Sequence, residues 1–139
     1  MSEFRFENDK SDAANLAGLL DNIFKSFNKS VSLVAASKQS PIPNNIKIGM
    51  VISLGMANGI GILFRMNTDT IIKGYKQYLS KFEDDDVDGM FNFIAELSNN
   101  SRYSPWIERG GSTVREFMEG NQAEASMMQL AMDYCDARD

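Results

Sequence analysis

The feature that most constrains this chain is an apolar segment, residues 46–66, in which the 17 residues 48–64 carry no charge. Large apolar side chains stand at every second position over 46–56 and again over 60–66. Alternation of this kind is typical of a β-strand with one buried face. Asn58-Gly59 lies between the two halves, and this dipeptide is a strong signal for a hairpin turn. The segment therefore predicts a β-hairpin.

The pairing register supports the hairpin. A three-residue loop pairs Met56 with Ile60 and Leu54 with Ile62, so that all the large side chains share one face. The four glycines of the segment disfavour a helix, because each costs about 1 kcal/mol relative to alanine. A buried helix that is apolar on all sides and a short membrane span are the alternatives.

Helices are predicted around this hairpin. Residues 12–28 carry apolar side chains at helical spacing, and Ser11 or Asp12 can cap the start of this helix. A glycine pair, Gly110-Gly111, predicts a break between two short helices, and Gly120 predicts a helix end. Further helix starts are indicated by capping residues or proline at Asn67 or Thr68, Asp85 or Asp86, Pro105, Thr113 and Asn121.

The chain is thus expected to form one compact α+β domain over residues 1–139, with an all-α bundle as the alternative fold. A small antiparallel sheet, centred on the hairpin at about 46–66, would be packed by four to five helices. A lone hairpin is marginally stable, so a third strand is expected at Phe4–Phe6 or Val31–Ala35, although Val31–Ala35 also fits a continuation of the preceding helix. An open sheet edge would allow pairing with a second copy and hence a homodimer.

Two residue counts exclude many chemistries. The chain has no histidine, which removes Ser-His and Cys-His nucleophile pairs and histidine-ligated metals. Its single cysteine, Cys135, cannot form an intrachain disulfide, and a lone thiol favours a reducing compartment. The first residues lack the layout of a signal peptide. We therefore expect a cytoplasmic protein that is not an enzyme, uses no cofactor and does not enter a membrane.

Charge is unevenly distributed along the chain. Residues 1–82 hold ten Lys and Arg against six Asp and Glu, whereas residues 83–139 hold four against thirteen. Such a dipole can steer oriented association, although two solvated faces explain it equally simply. The basic N-terminal half, in which Lys73 and Lys76 alternate with Tyr75 and Tyr78, suggests a nucleic-acid binder as one alternative function. The acidic remainder of the chain would repel a polyanion, which argues against nucleic acid as a partner.

A second alternative is weak calcium binding by a partial EF-hand-like loop at 84–96. Asp84, Asp86 and Asp88 alternate ahead of a glycine, as in the front half of a calcium loop. The twelfth position, which should supply a bidentate carboxylate, is Ala95. An acidic helix start is the simpler interpretation, because aspartates there bind free N–H groups.

The remaining signals favour a protein-binding module. Trp and Arg are frequent binding hot spots, and methionine and exposed aromatic side chains suit adaptable surfaces. The candidate partner-binding residues are Trp106, Arg109, Phe93, Met128 and Met132. The main hypothesis is a non-enzymatic interaction module for an unknown protein partner, such as an acidic adaptor, an assembly chaperone or a phage-encoded inhibitor of a host protein complex.

Overall fold

The computed structural model describes residues 11–120 and 123–139, and these residues form six α-helices and no strand. The prediction of an α+β fold is therefore wrong, and the all-α alternative is confirmed. The helices are α1 (Asp12–Ser37), α2 (Ile46–Leu63), α3 (Thr68–Leu79), α4 (Val87–Ser98), α5 (Pro105–Glu119) and α6 (Ala123–Asp136). The apolar helix α2 lies in the centre and contacts α1, α3, α4 and α5, while α6 packs against α1 and α5.

The predicted hairpin is wrong because most of residues 46–66 belong to α2, with Asn58-Gly59 in the helix interior. Residues four positions apart lie on nearly the same face of a helix, and four is twice the strand period of two. The buried residues of one helix face can therefore all fall on alternate positions of the sequence, as those of a strand do. The ends of the segment break the alternation, because Ile46 is 57% and Ile62 is 73% exposed. The buried large side chains of that series are Ile48, Ile52, Met56 and Ile60.

The other predicted elements have mixed outcomes. The helix starts at Ser11, Asn67 and Asp86 are confirmed, because each side chain accepts a hydrogen bond from the backbone N–H three residues on. Val31–Ala35, a candidate third strand, is part of α1. The break at Gly110-Gly111 and the helix start at Thr113 are wrong, since α5 continues through both. The other candidate strand, Phe4–Phe6, and the helix start at Asn121 lie outside the described residues. With no sheet edge in the described part of the chain, the predicted route to a homodimer is removed.

Glycines allow α2 and α5 to pack with their backbones in contact. A methyl group at Gly55 would overlap the carbonyl oxygen of Ile107, and one at Gly110 would lie 2.5 Å from the carbonyl oxygen of Ile52. A methyl group at Gly59 would lie 3.0 Å from the Cα of α5's second glycine. Only residues without a side chain permit such an approach. The glycines that disfavoured a helix in the sequence are therefore packing residues of the central helix.

The N-terminus of α2 is held by the C-terminal residues of the chain. Asn45, which precedes the helix, makes no side-chain cap, and its amide group instead donates 2.9 Å to the carbonyl oxygen of Tyr134. The side-chain carboxylate of Asp139 accepts from the backbone N–H groups of Lys47 at 3.0 Å and Ile48 at 3.1 Å. A carboxylate at this end satisfies free donors and complements the helix dipole. These contacts fix the start of α2 against the end of α6.

By length and composition, α2 is also able to cross a membrane. In this fold, however, 56% of its 18 residues are buried by the rest of the chain. The core helix of a globular domain satisfies the same two criteria. Location in the cytoplasm therefore stays a prediction.

The glycine contact yields a test of the fold. Replacing Gly55 with alanine should destabilise the protein by about 1–3 kcal/mol or more, because the added methyl group forces two backbones apart. The matched control is Gly18→Ala in α1, where a methyl group meets no atom within 4 Å. This change should stabilise the protein by about 0.5–1 kcal/mol through helix propensity. Urea unfolding measures both values, and equal effects would contradict the packing described above.

Candidate functional site

Among the described residues, a mainly apolar cleft of about 310 Å³ lies between five of the six helices. We call it the aromatic cleft. Its walls come from α1, α2 and α3, with one residue each from α4 and α6. The lining residues are Phe24, Phe27, Asn28, Ile46, Gly49, Met50, Ser53, Tyr78, Leu79, Phe82, Met90 and Tyr134.

A continuous row of aromatic rings forms one wall of the cleft. Tyr134 meets Phe27 with 5.2 Å between ring centroids, and Phe27 meets Phe24 at 5.2 Å. The row continues to Tyr78 at 6.5 Å and ends at Phe82, a further 5.2 Å away. Each pair adds about 0.5–1.5 kcal/mol beyond simple burial. The row is therefore a continuous apolar surface, and its last ring, Phe82, is 64% exposed.

Two of the three hydroxyl groups at the cleft, those of Ser53 and Tyr134, already have partners within the chain. Ser53 Oγ lies 2.7 Å from the carbonyl oxygen of Met50 and 2.7 Å from the hydroxyl oxygen of buried Tyr75. The Tyr134 hydroxyl donates 3.1 Å to the carbonyl oxygen of Asn45. An entering group thus meets mainly carbon atoms.

Among the described residues, no carboxylate, ammonium, guanidinium or thiol group lines the cleft. Its two phenols stay neutral over a wide pH range. Burial, reinforced by the negative charge of Asp21, raises the pKa of Tyr78 well above its ordinary value. Burial, together with the negative charge of Asp139, also raises the pKa of Tyr134. The cleft therefore suits an uncharged apolar group and offers no acid–base pair for catalysis.

The predicted partner-binding residues lie elsewhere. Trp106 and Arg109 come together on α5, with the guanidinium carbon 5.7 Å from the centre of the indole ring. The same guanidinium donates 2.6 Å to the carboxylate of Asp133 on α6, so its strongest contact is internal. On α6, Met132 is exposed and Met128 is half-buried.

Phe93 stands apart from these four residues. It is 45% exposed on α4, a helix that packs mainly against α2 and α3. None of the five predicted residues lines the aromatic cleft. Partner binding by Trp106, Arg109, Phe93, Met128 and Met132 stays a prediction. Phe82 lines the cleft but is not among the residues predicted from the sequence, because its spacing predicts a position on the buried side of a helix.

The acidic loop acts as a helix start in this fold. Asp86 accepts a hydrogen bond from the backbone N–H of Gly89 at 3.1 Å. Asp88 forms an ion pair of 3.0 Å with Lys76 of α3. Across residues 11–120 and 123–139, no three His, Cys, Asp or Glu side chains converge in a way that could hold a metal ion. Calcium binding by Asp84, Asp86 and Asp88 stays a prediction without geometric support.

The aromatic residues of the candidate nucleic-acid surface are buried. Tyr75 is fully buried and Tyr78 nearly so, which leaves neither ring free to stack on a base. Lys76 lies over the ring of Phe91 at 5.1 Å while it pairs with Asp88. Nucleic-acid binding through the basic half of the chain stays a prediction, and of the residues that suggested it only the lysines could still contact a nucleic acid.

Comparison of the chain with protein-family models, with curated proteins and with solved structures finds no match. The candidate function therefore has to be inferred from the cleft and its surroundings.

The buried phenols yield a pH prediction. Tyr78 has a pKa raised above its ordinary value of 10.0, so the folded state keeps a proton that the unfolded state releases. Its contribution to stability is complete below pH 10.0 and is lost as the pH rises further. The free energy of unfolding, measured with urea, should therefore fall above that pH. The fall should be shallower for Tyr78→Phe, and identical slopes for the two proteins would contradict the assignment.

Proposed function

We propose that this chain is a non-enzymatic protein-binding domain whose aromatic cleft accepts an apolar anchor of a partner protein. The observation that carries the proposal is an open cleft lined by a row of aromatic rings and, among the described residues, by no charged side chain. Interfaces are dominated by a few apolar anchors that fill such pockets. A catalytic function, by contrast, calls for convergent ionisable groups.

The surroundings of the cleft favour a protein over a small molecule. Its volume of about 310 Å³ is at the lower limit of small-molecule pockets, which span roughly 300–1,000 Å³. Apolar surface extends outside it, because Phe82 and Ile46 are both exposed at its edge. Met50 and Met90 add flexible, polarisable side chains that can adapt to a partner. A helix or loop would cover both the cleft and its edge.

The proposed class includes adaptors, assembly chaperones and inhibitors of host complexes, which can act by occupying an apolar surface of a partner. Such proteins act by occupying a surface, so they need neither cofactor nor catalytic group. The cytoplasm is the compartment we propose, because the single thiol of Cys135 suits a reducing environment.

A peptide library displayed on phage tests the proposal directly. Selection on the purified chain should enrich peptides that carry two or more aromatic or aliphatic anchors at helical spacing. Phe82→Ala should weaken the binding of the enriched peptides by about tenfold or more, because it removes the exposed end of the ring row. Fluorescence anisotropy with a labelled peptide measures the dissociation constant.

Phe93→Ala is the matched control, because it removes an exposed phenylalanine that does not line the cleft. It should leave peptide affinity within about twofold of the original, as expected for a residue outside the contact. Thermal unfolding confirms that both variants fold. A library that enriches no apolar peptide, or peptides that depend on Phe93 and not on Phe82, would contradict the proposed site.

A further inference from the structure

A second groove, of about 450 Å³, runs along the outer side of the contact between α2 and α5. We call it the glycine groove. It shares no lining residue with the aromatic cleft, so an inference about it does not depend on the proposed function. The residues that line it are Gly55, Asn58, Gly59, Ile62, Leu63, Ile107, Glu108, Gly111, Ser112 and Arg115.

The groove combines a depression with a projecting side chain. Gly55 and Gly59 are buried on the α2 side, where α5 packs closely against them, and Gly111 and Ser112 keep the α5 wall of the groove low. At one end stands Ile62, which is 73% exposed, the highest value among the large apolar side chains of the described residues. An apolar knob beside a hollow of this kind is suited to packing against a copy of itself.

The charges of the groove are self-complementary. Of the ten lining residues only Glu108 and Arg115 are charged, and they have opposite signs. They are seven residues apart on α5, which is close to two full turns and places them on one face. Neither side chain forms a hydrogen bond or an ion pair with another residue of the described ranges. Their midpoint lies between Gly111 and Ser112, the two small residues of the α5 wall.

We propose that a second copy of this chain occupies the glycine groove, in a two-fold dimer in which the two α5 helices run antiparallel. A two-fold axis that passes between Gly111 and Ser112 brings Glu108 of one copy level with Arg115 of the other. Symmetry repeats this ion pair on the opposite side of the axis. The small residues at the axis allow the two α5 backbones to come close.

The same rotation also fixes the level along the second copy at which the exposed side chain of Ile62 lies. Helices α2 and α5 run in the same direction, because Gly55 faces Ile107 and Gly59 faces Gly111. After the rotation, Ile62, which lies near the end of α2, is at the same height along the helix axis as the stretch between Gly55 and Gly59 of the second copy. One symmetric arrangement thus pairs Glu108 with Arg115 and brings the small residues of the two α5 helices together. An unrelated partner would have to match both features independently.

Charge reversal tests the dimer on the full chain by sedimentation equilibrium. Glu108→Arg and Arg115→Glu should each raise the dimer dissociation constant by about tenfold or more, because each places like charges opposite one another twice. The double variant, Glu108→Arg with Arg115→Glu, should restore dimerisation, because the ion pair re-forms with exchanged signs. Glu124→Arg, an exposed charge reversal on α6, is the control and should leave the dimer intact.

Cross-linking locates the axis independently of charge. In a Cys135→Ser background, Ser112→Cys should give a covalent dimer with a short bismaleimide, since this position lies beside its symmetry mate. Ser32→Cys on the exposed side of α1 should stay monomeric under the same treatment. A chain that is monomeric at every concentration would overturn the proposal. So would a dimer that the double variant fails to restore, or one in which the Ser112→Cys variant does not cross-link.

Discussion

The backbone contact between α2 and α5 is the constraint on which the rest of this structure depends. Gly55 and Gly110 are the residues at which the two helices touch without intervening side chains. The contact places α2 in the centre of the bundle, where α1, α3 and α4 pack on its other sides. One flank of the helix then forms the floor of the aromatic cleft, and the outer edge of the contact forms the glycine groove. Both surfaces follow from a single helix crossing.

Local signals were enough to predict much of the helical structure. Ser11, Asn67 and Asp86 cap helices as their side-chain chemistry indicates, and the left-handed Gly120 ends α5. These features depend on a few neighbouring residues, so they can be derived from the sequence. The predicted elements failed where the decisive interaction was distant in sequence, namely between residues 55–59 and 107–111.

Two physical reasons explain why the central segment was predicted as a hairpin. The buried series of α2 advances by four residues, and a pattern with that step also satisfies strict alternation over short stretches. Glycine was weighed by its cost in an isolated helix, about 1 kcal/mol. In the folded chain the same glycines permit close packing over a long contact, which outweighs that cost. Helix propensity alone therefore predicts that these glycines disfavour α2, whereas their packing against α5 favours it.

The lining of the aromatic cleft could not be predicted from the sequence, because exposure depends on where neighbouring helices end. Phe82 has the spacing of a core residue, yet α3 ends at Leu79 and leaves its ring in the connection to α4. Trp106 and Arg109 had the composition of a hot spot. In the structure, the guanidinium is engaged by Asp133. Residue type identifies candidate anchors, but the packing of the folded chain decides whether their side chains are free to contact a partner.

The uneven charge of the chain has a similar explanation. Lys38 of the basic half pairs with Asp136 of the acidic half at 2.9 Å, and Lys76 pairs with Asp88 at 3.0 Å. Folding thus brings the two halves together and cancels part of the dipole that the sequence suggests. Exposed pairs of this kind add about 0–1 kcal/mol each, so they arrange the surface more than they stabilise it. Glu108 and Arg115, by contrast, form no ion pair within residues 11–120 and 123–139, and the proposed dimer pairs them across its two-fold axis.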